Sequence, residues 1–163
     1  AVMDRGRIVQ HGSPLEVYQK PESAYVADFV GEANLIPGRL LEIRAAGAVV
    51  ETIFGAVQGC LAKGFLPSAR DEVLVSIRPQ HVQVGGDGDG RNFTGKGRLT
   101  DSAYLGSVTR LSVQVGGRVI RADITGMPEV QVGEEVVLGW RAEDSRVLAA
   151  DARFTTESLG INP

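Results

Sequence analysis

The sequence predicts a mainly β protein made of two related small barrels, preceded by a short hairpin and two short helices. Three observations carry that reading. Many of the 21 glycines fall between short runs rich in Val, Ile and Leu, the punctuation of strands joined by tight turns. Leu111–Val115 and Ile120–Ile124 alternate apolar and polar residues on either side of Gly116-Gly117, which reads as a hairpin with one buried and one wet face. Finally, Asp71–Arg78 lies over Glu134–Arg141 at a constant offset of 63, continuing to Val84 opposite Val147, and Gly38-Arg39-Leu40 is echoed by Gly97-Arg98-Leu99 at an offset of 59. Such self-similarity predicts two related β units, residues 34–84 and 92–150.

The elements follow in chain order. Val2-Met3-Asp4 and Arg7-Ile8-Val9-Gln10 flank Gly6 as a short hairpin; a strand this close to residue 1 predicts that the chain continues a longer protein. Ser13-Pro14-Leu15-Glu16 is a capping box, with Ser13 accepting from the Glu16 amide and Pro14 at the first helical position, and it predicts a helix to about Gln19. Pro21 ends that pattern, Ser23 caps a second helix over residues 24–30 whose apolar side holds Tyr25, Val26 and Phe29, and Gly31 suits the left-handed position that closes it. Helices this short need a packing partner. Further strands are predicted at 49–53, 72–78, 98–103 and 135–140. Gly85-Gly86-Asp87-Gly88-Asp89-Gly90 lacks the further ligands and terminal Glu of a calcium loop and reads as a linker. A polar tail covers 151–163.

Composition bounds the function. At 43% hydrophobic and 23% charged the chain is that of an ordinary globular protein. A net charge of −3 argues against nucleic acid as a partner, because phosphate neutralisation needs clustered Lys and Arg. No run approaches the roughly 20 apolar residues of a membrane span, and no charged n-region with an apolar h-region opens the chain. The single Cys60 forms no intramolecular disulfide and shows no metal-ligand spacing with His11 or His81. A reducing, cytoplasmic setting follows.

The motifs that carry catalysis are missing: there is no G-x-x-x-x-G-K-[ST], G-x-S-x-G or H-E-x-x-H. No catalytic, cofactor-binding or metal-ligating residue is therefore assigned. The candidates for interface or effector contacts are Arg78 and its repeat mate Arg141, with Trp140, Glu143 and Asp144. A lone Trp beside Arg and two carboxylates suits an interface anchor; equally, Trp140 can plug a small barrel. The two arginines with the acidic pair can alternatively contact a small oxyanion.

The opening run, Met3-Asp4-Arg5-Gly6-Arg7-Ile8-Val9-Gln10 with Gly12-Ser13-Pro14, Glu16-Val17-Tyr18, Pro21, Val26–Gly31 and Asn34, resembles the end of the nucleotide-binding domain in ATPase subunits of the maltose, polyamine and ferric-iron type of ABC importer. The remainder resembles the transport-associated OB-fold (TOBE) domain of those subunits, through Val75-Ser76-Ile77-Arg78-Pro79-Gln80, Tyr104-Leu105-Gly106 and Leu138–Asp144. Gln80 stands where the family commonly has Glu, and the Trp140-Arg141-x-Glu143-Asp144 ending is closer to the polyamine, ferric-iron and phosphonate branch than to the sugar branch.

The resemblance implies OB-fold-like barrels in a non-catalytic regulatory and dimerisation domain, residues 34–150, after the tail of the nucleotide-binding domain, residues 1–33. It also implies that ATP and Mg belong to the upstream domain. The partners it implies are a second copy, that domain and, through it, the membrane subunits, at the inner face of the cell membrane. The alternative reading is a module binding a small oxyanion, similar to the molybdate-binding domains.

Overall fold

The computed structural model describes residues 1–45, 47–85 and 91–154. Strands β1 (Val2–Asp4) and β2 (Arg7–Gln10) form an antiparallel hairpin. Its turn places both Arg5 and Gly6 at positive φ, 48° and 76°, the hand that matches strand twist. Helices α1 (Pro14–Gln19) and α2 (Ala24–Phe29) begin as expected, with the Ser13 hydroxyl accepting from the Glu16 amide at 3.2 Å and the Ser23 hydroxyl from the Val26 amide at 3.3 Å.

The end of α2 differs from expectation. Gly31 is not among the residues at positive φ, and the helix closes at Val30 in the right-handed region. Its buried face is Ala24, Val26 and Ala27, while Phe29 is 64% exposed and stacks on Tyr25. Small residues face inward because α2 lies against the barrel, in one apolar cluster with Ala62, Leu74 and Leu148; the rings are left on its outer side.

Ten strands follow: β3 (Asn34–Arg44), β4 (Gly47–Thr52), β5 (Gly55–Leu61), β6 (Glu72–Ile77), β7 (Gln83–Val84), β8 (Arg91–Tyr104), β9 (Val108–Val115), β10 (Arg118–Thr125), β11 (Glu135–Arg141) and β12 (Ser145–Ala149). They make a mainly β, OB-fold-like architecture: a closed five-stranded barrel in the order β12-β5-β4-β3-β6, and a five-stranded sheet in the order β10-β9-β8-β11-β7. The barrel closes because β12 pairs antiparallel with β6 and parallel with β5, and closure removes the unpaired strand edges of an open sheet.

Each half lends the other its last strand. β7 follows β6 in sequence but pairs with β11, and β12 follows β11 but completes the barrel. The transfer is made in both halves by one 3-10 turn, Pro79–His81 and Ala142–Asp144. Pro79 has no N–H with which to extend a ladder, so the chain must leave the sheet there.

The two halves share finer detail. Register shifts between Leu40 and Glu42 in β3 and between Leu99 and Asp101 in β8. The Leu40 amide donates to Asp71 O and accepts, through its carbonyl, from Arg70 N; Leu99 does the same with Glu134 O and Gly133 N. Gly38 and Gly97 sit where strands cross too closely for a side chain: a Cβ would lie 2.6 Å from Glu51 O and 2.8 Å from Gln114 O, respectively.

A single apolar cluster runs through barrel and sheet, including Leu40, Val75, Leu99, Leu138, Trp140 and Val147. Of the sequence expectations not yet placed, the linker at 85–90 lies, beyond Gly85, outside the described residues. So does the tail beyond Phe154; Ala152–Phe154 form a 3-10 turn. No helix among the described residues is long and apolar enough to cross a membrane.

Candidate functional site

Arg78 is the centre of the seam between the N-terminal segment and the barrel. It follows β6 directly, is 6% exposed, and points its guanidinium at the C-terminal ends of both helices. Nη1 donates to Ala27 O at 2.7 Å and to Gly31 O, and Nη2 donates to Tyr18 O at 3.0 Å. The Tyr18 and Ala27 carbonyls are ones that helix ends leave without intrahelical donors, and a cation complements the negative end of the helix dipole. The guanidinium lies 4.3 Å from the centre of the Tyr18 ring, and Gln80 Nε2 donates to the Tyr18 hydroxyl at 2.8 Å. Burial pushes the Arg78 pKa down from its ordinary value, opposed by Tyr18 and Asp28.

Two further groups of contacts, one within the N-terminal segment and one between it and the residues after β12, were missed by sequence reading. Gln10, 5% exposed, donates to Lys20 O and accepts from the Glu22 amide, each at 2.9 Å. Arg153 pairs with Asp151 at 2.8 Å and Asp4 at 3.3 Å and lies 4.9 Å from the Tyr25 ring centre. Gln10 carries no local signal, since its partners are ten and twelve residues away; Arg153 has Asp151 two residues before it, but its contacts with Asp4 and Tyr25 come only from folding. Asn34 was noted only in a motif; its amide donates to Arg121 O at 2.9 Å and accepts from Arg121 N at 2.8 Å, capping the outer edge of β10.

The remaining candidates separate. Trp140 is 1% exposed and fills the core between barrel and sheet. Its Nε1 is the one buried side-chain polar atom without a partner among the described residues. Arg141, the repeat mate of Arg78, is on the surface, 3.8 Å from Glu143, with side chains 60% and 67% exposed. Asp144 lies 3.1 Å from His81 Nδ1, so the two strand-transfer turns touch. Arg78 therefore does not stand free beside the acidic pair: its donors are taken by backbone carbonyls. Cys60 is a half-buried free thiol, and no group of three or more potential metal ligands occurs among the described residues.

The TOBE domain model matches residues 75–148, from within β6 to within β12. The chain is similar to the C-terminal TOBE region of ABC importer ATP-binding subunits. It is 30% identical over 153 residues to the spermidine/putrescine import ATP-binding protein PotA of Rubrobacter xylanophilus, covering 91% of this chain and 40% of that protein. PotA of Acetivibrio thermocellus is 42% identical over 83 residues, covering 51% and 22%. An ABC transporter ATP-binding protein of Sinorhizobium fredii, y4oS, is 32% identical over 139 residues, covering 84% and 35%. The chain thus spans about two fifths of the length of the first of these. Among solved structures, the cytoplasmic molybdate-binding protein ModG, with molybdate bound, shares the fold at a TM-score of 0.63 and 14% identity, covering 72% of this chain and 96% of that one.

Proposed function

We propose that this chain is the non-catalytic regulatory and dimerisation region of the ATP-binding subunit of an ABC importer for polyamines, ferric iron or a related solute. One observation carries the reading: the segment resembling the end of a nucleotide-binding domain is locked to the barrel by the buried Arg78. A displacement of the ATPase domain is then transmitted to the barrel, and the reverse, because the joint has no slack. ATP and Mg are held upstream, so this chain alone hydrolyses no ATP. A second copy, held through the β regions, keeps the two ATPase halves at high effective concentration through each cycle. Membrane subunits are reached through the ATPase domain, which places the assembly at the cytoplasmic face of the membrane; nucleic acid is not a partner.

The decisive test is the coding sequence upstream of Ala1. A Walker A loop, a signature motif and a switch His are expected there, and an unrelated domain overturns the assignment. Sedimentation velocity of this chain addresses the second copy: a dimer at micromolar concentration is expected, and a monomer throughout removes dimerisation from the proposal. The likeness in fold to ModG favours one second reading, oxyanion binding. Molybdate raising the unfolding temperature, and continuing to raise it with the logarithm of its concentration above the dissociation constant, is the result that would support it.

A further inference from the structure

The seam between the N-terminal segment and the barrel holds a cavity of about 340 Å³ beside the contacts already described. One wall is barrel: Cys60 at the end of β5, Lys63 just beyond it, and Arg146 on β12. The other wall is the N-terminal segment, with Glu16, Lys20 and Glu22, and His11 also lines the space. The second wall is built rather than loose, because the buried Gln10 side chain bonds the backbone of both Lys20 and Glu22.

The charges are arranged without being neutralised. The barrel wall carries only cations. Among the described residues Lys20, Lys63 and Arg146 make no ion pair within 4.0 Å, although Glu16 and Glu22 line the same cavity. Arg146 donates only to backbone carbonyls, those of Glu143 at 3.3 Å and Ser145 at 3.5 Å. Lys and Arg lining one space suit a phosphate, to which they make strong charge-assisted hydrogen bonds. Ionised Glu16 and Glu22 accept only, so the same ligand must also bring donors. The volume lies within the range of small-molecule sites.

We propose that this cavity binds a small phosphorylated polyol, its phosphate held by Lys63, Arg146 and Lys20 and its hydroxyls donating to Glu16 and Glu22. A ligand touching both walls ties the N-terminal segment to the barrel more firmly. Only the consequence of that tie for an ATPase rests on the function proposed above; the binding does not.

Cys60 is the only cysteine in the chain and lines the cavity, so its alkylation by iodoacetamide reports on this place alone. Glycerol 3-phosphate is the probe. It is expected to slow Cys60 alkylation saturably, about tenfold when present at ten times its dissociation constant, with inorganic phosphate protecting more weakly and sodium chloride of matched ionic strength not at all. Lys63→Gln/Arg146→Gln is expected to abolish protection, read as the ratio of its own alkylation rates with and without ligand, since loss of nearby cations by itself slows the thiolate. Should that double variant unfold, Lys63→Glu, a single change at an exposed residue, serves the same purpose. No protection at about 10 mM, beyond the millimolar range of weak specific binding, overturns the proposal. So does equal protection by chloride, or protection that survives the substitutions. Upstream coding sequence and self-association are unaffected by any of these results, so this site and the function proposed above fail separately.

Discussion

Arg78 and Arg141 occupy equivalent places in the two halves, each ending a core strand and preceding a 3-10 turn that carries the chain into the opposite sheet. One is 6% exposed and bonds three carbonyls; the other has a side chain 60% exposed beside Glu143. The difference is a neighbour. Only Arg78 has the helix ends of the N-terminal segment packed over it, so the same local sequence becomes a structural clamp in one place and solvated charge in the other. Equivalent positions in a repeat thus inherit backbone geometry, while their energetic weight is set by what covers them.

The comparison is sharpest at Arg78→Ala. It strands the carbonyls of Tyr18, Ala27 and Gly31 in a seam that excludes most water, and about 3 kcal/mol of stability should be lost, given ~1–3 kcal/mol for each unpaired buried group. Urea unfolding measures it, and proteolysis should then release the segment 1–33 first. A loss below about 1 kcal/mol, within the range of an ordinary surface change, would show that the clamp is decorative. Next in size is the pair of close strand crossings. Gly38→Ala and Gly97→Ala each force a Cβ to within 2.6–2.8 Å of a backbone oxygen, and each should lose about 1–3 kcal/mol by overpacking. If one is tolerated, the two halves are less alike than their ladders indicate.

The loop before the repeated strands offers a smaller, two-sided test. Arg70 has φ 73° where its mate Gly133 has φ 98°. Arg70→Gly should be neutral or slightly stabilising, and Gly133→Arg should cost about 1 kcal/mol, the strain of a side chain in the left-handed region. Equal effects from both would contradict the correspondence of the loops. Trp140→Phe balances lost apolar area against removal of the unpaired Nε1 donor, so the change should stay within about 1 kcal/mol. A larger loss, read by thermal unfolding, would mean that the indole N–H is satisfied in solution. Smallest of all is Arg141→Ala, within about 0.5 kcal/mol as for other exposed ion pairs. A result matching Arg78→Ala would break the comparison outright.

Much of the fold was legible. Ser13 and Ser23 cap their helices because a hydroxyl before an amide two or three residues on is a local relation. The β9–β10 hairpin follows from alternation about two glycines. The buried face of α2 was read in part: Val26 is buried and Tyr25 partly covered as expected, but Phe29 is exposed, and the close approach of the barrel selected Ala24 and Ala27. Gln10 and the Arg153 contacts with Asp4 and Tyr25 were invisible because those partners are brought together only by folding. Among the candidate contacts, Arg78 and Arg141 were treated alike and Trp140 was read as barrel plug or interface anchor; burial separates the three into clamp, surface and core.

By itself the amino-acid order determined the β class, the caps, the hairpins and the repeat, all set by interactions between residues within a few positions or by periodicity along one strand. Tertiary structure alone decided that β7 and β12 change places, that the N-terminal segment shares a core with the barrel, and that Lys20, Lys63 and Arg146 surround one cavity. Those outcomes depend on which distant surfaces exclude water from each other, and no local pattern in a chain encodes that distance.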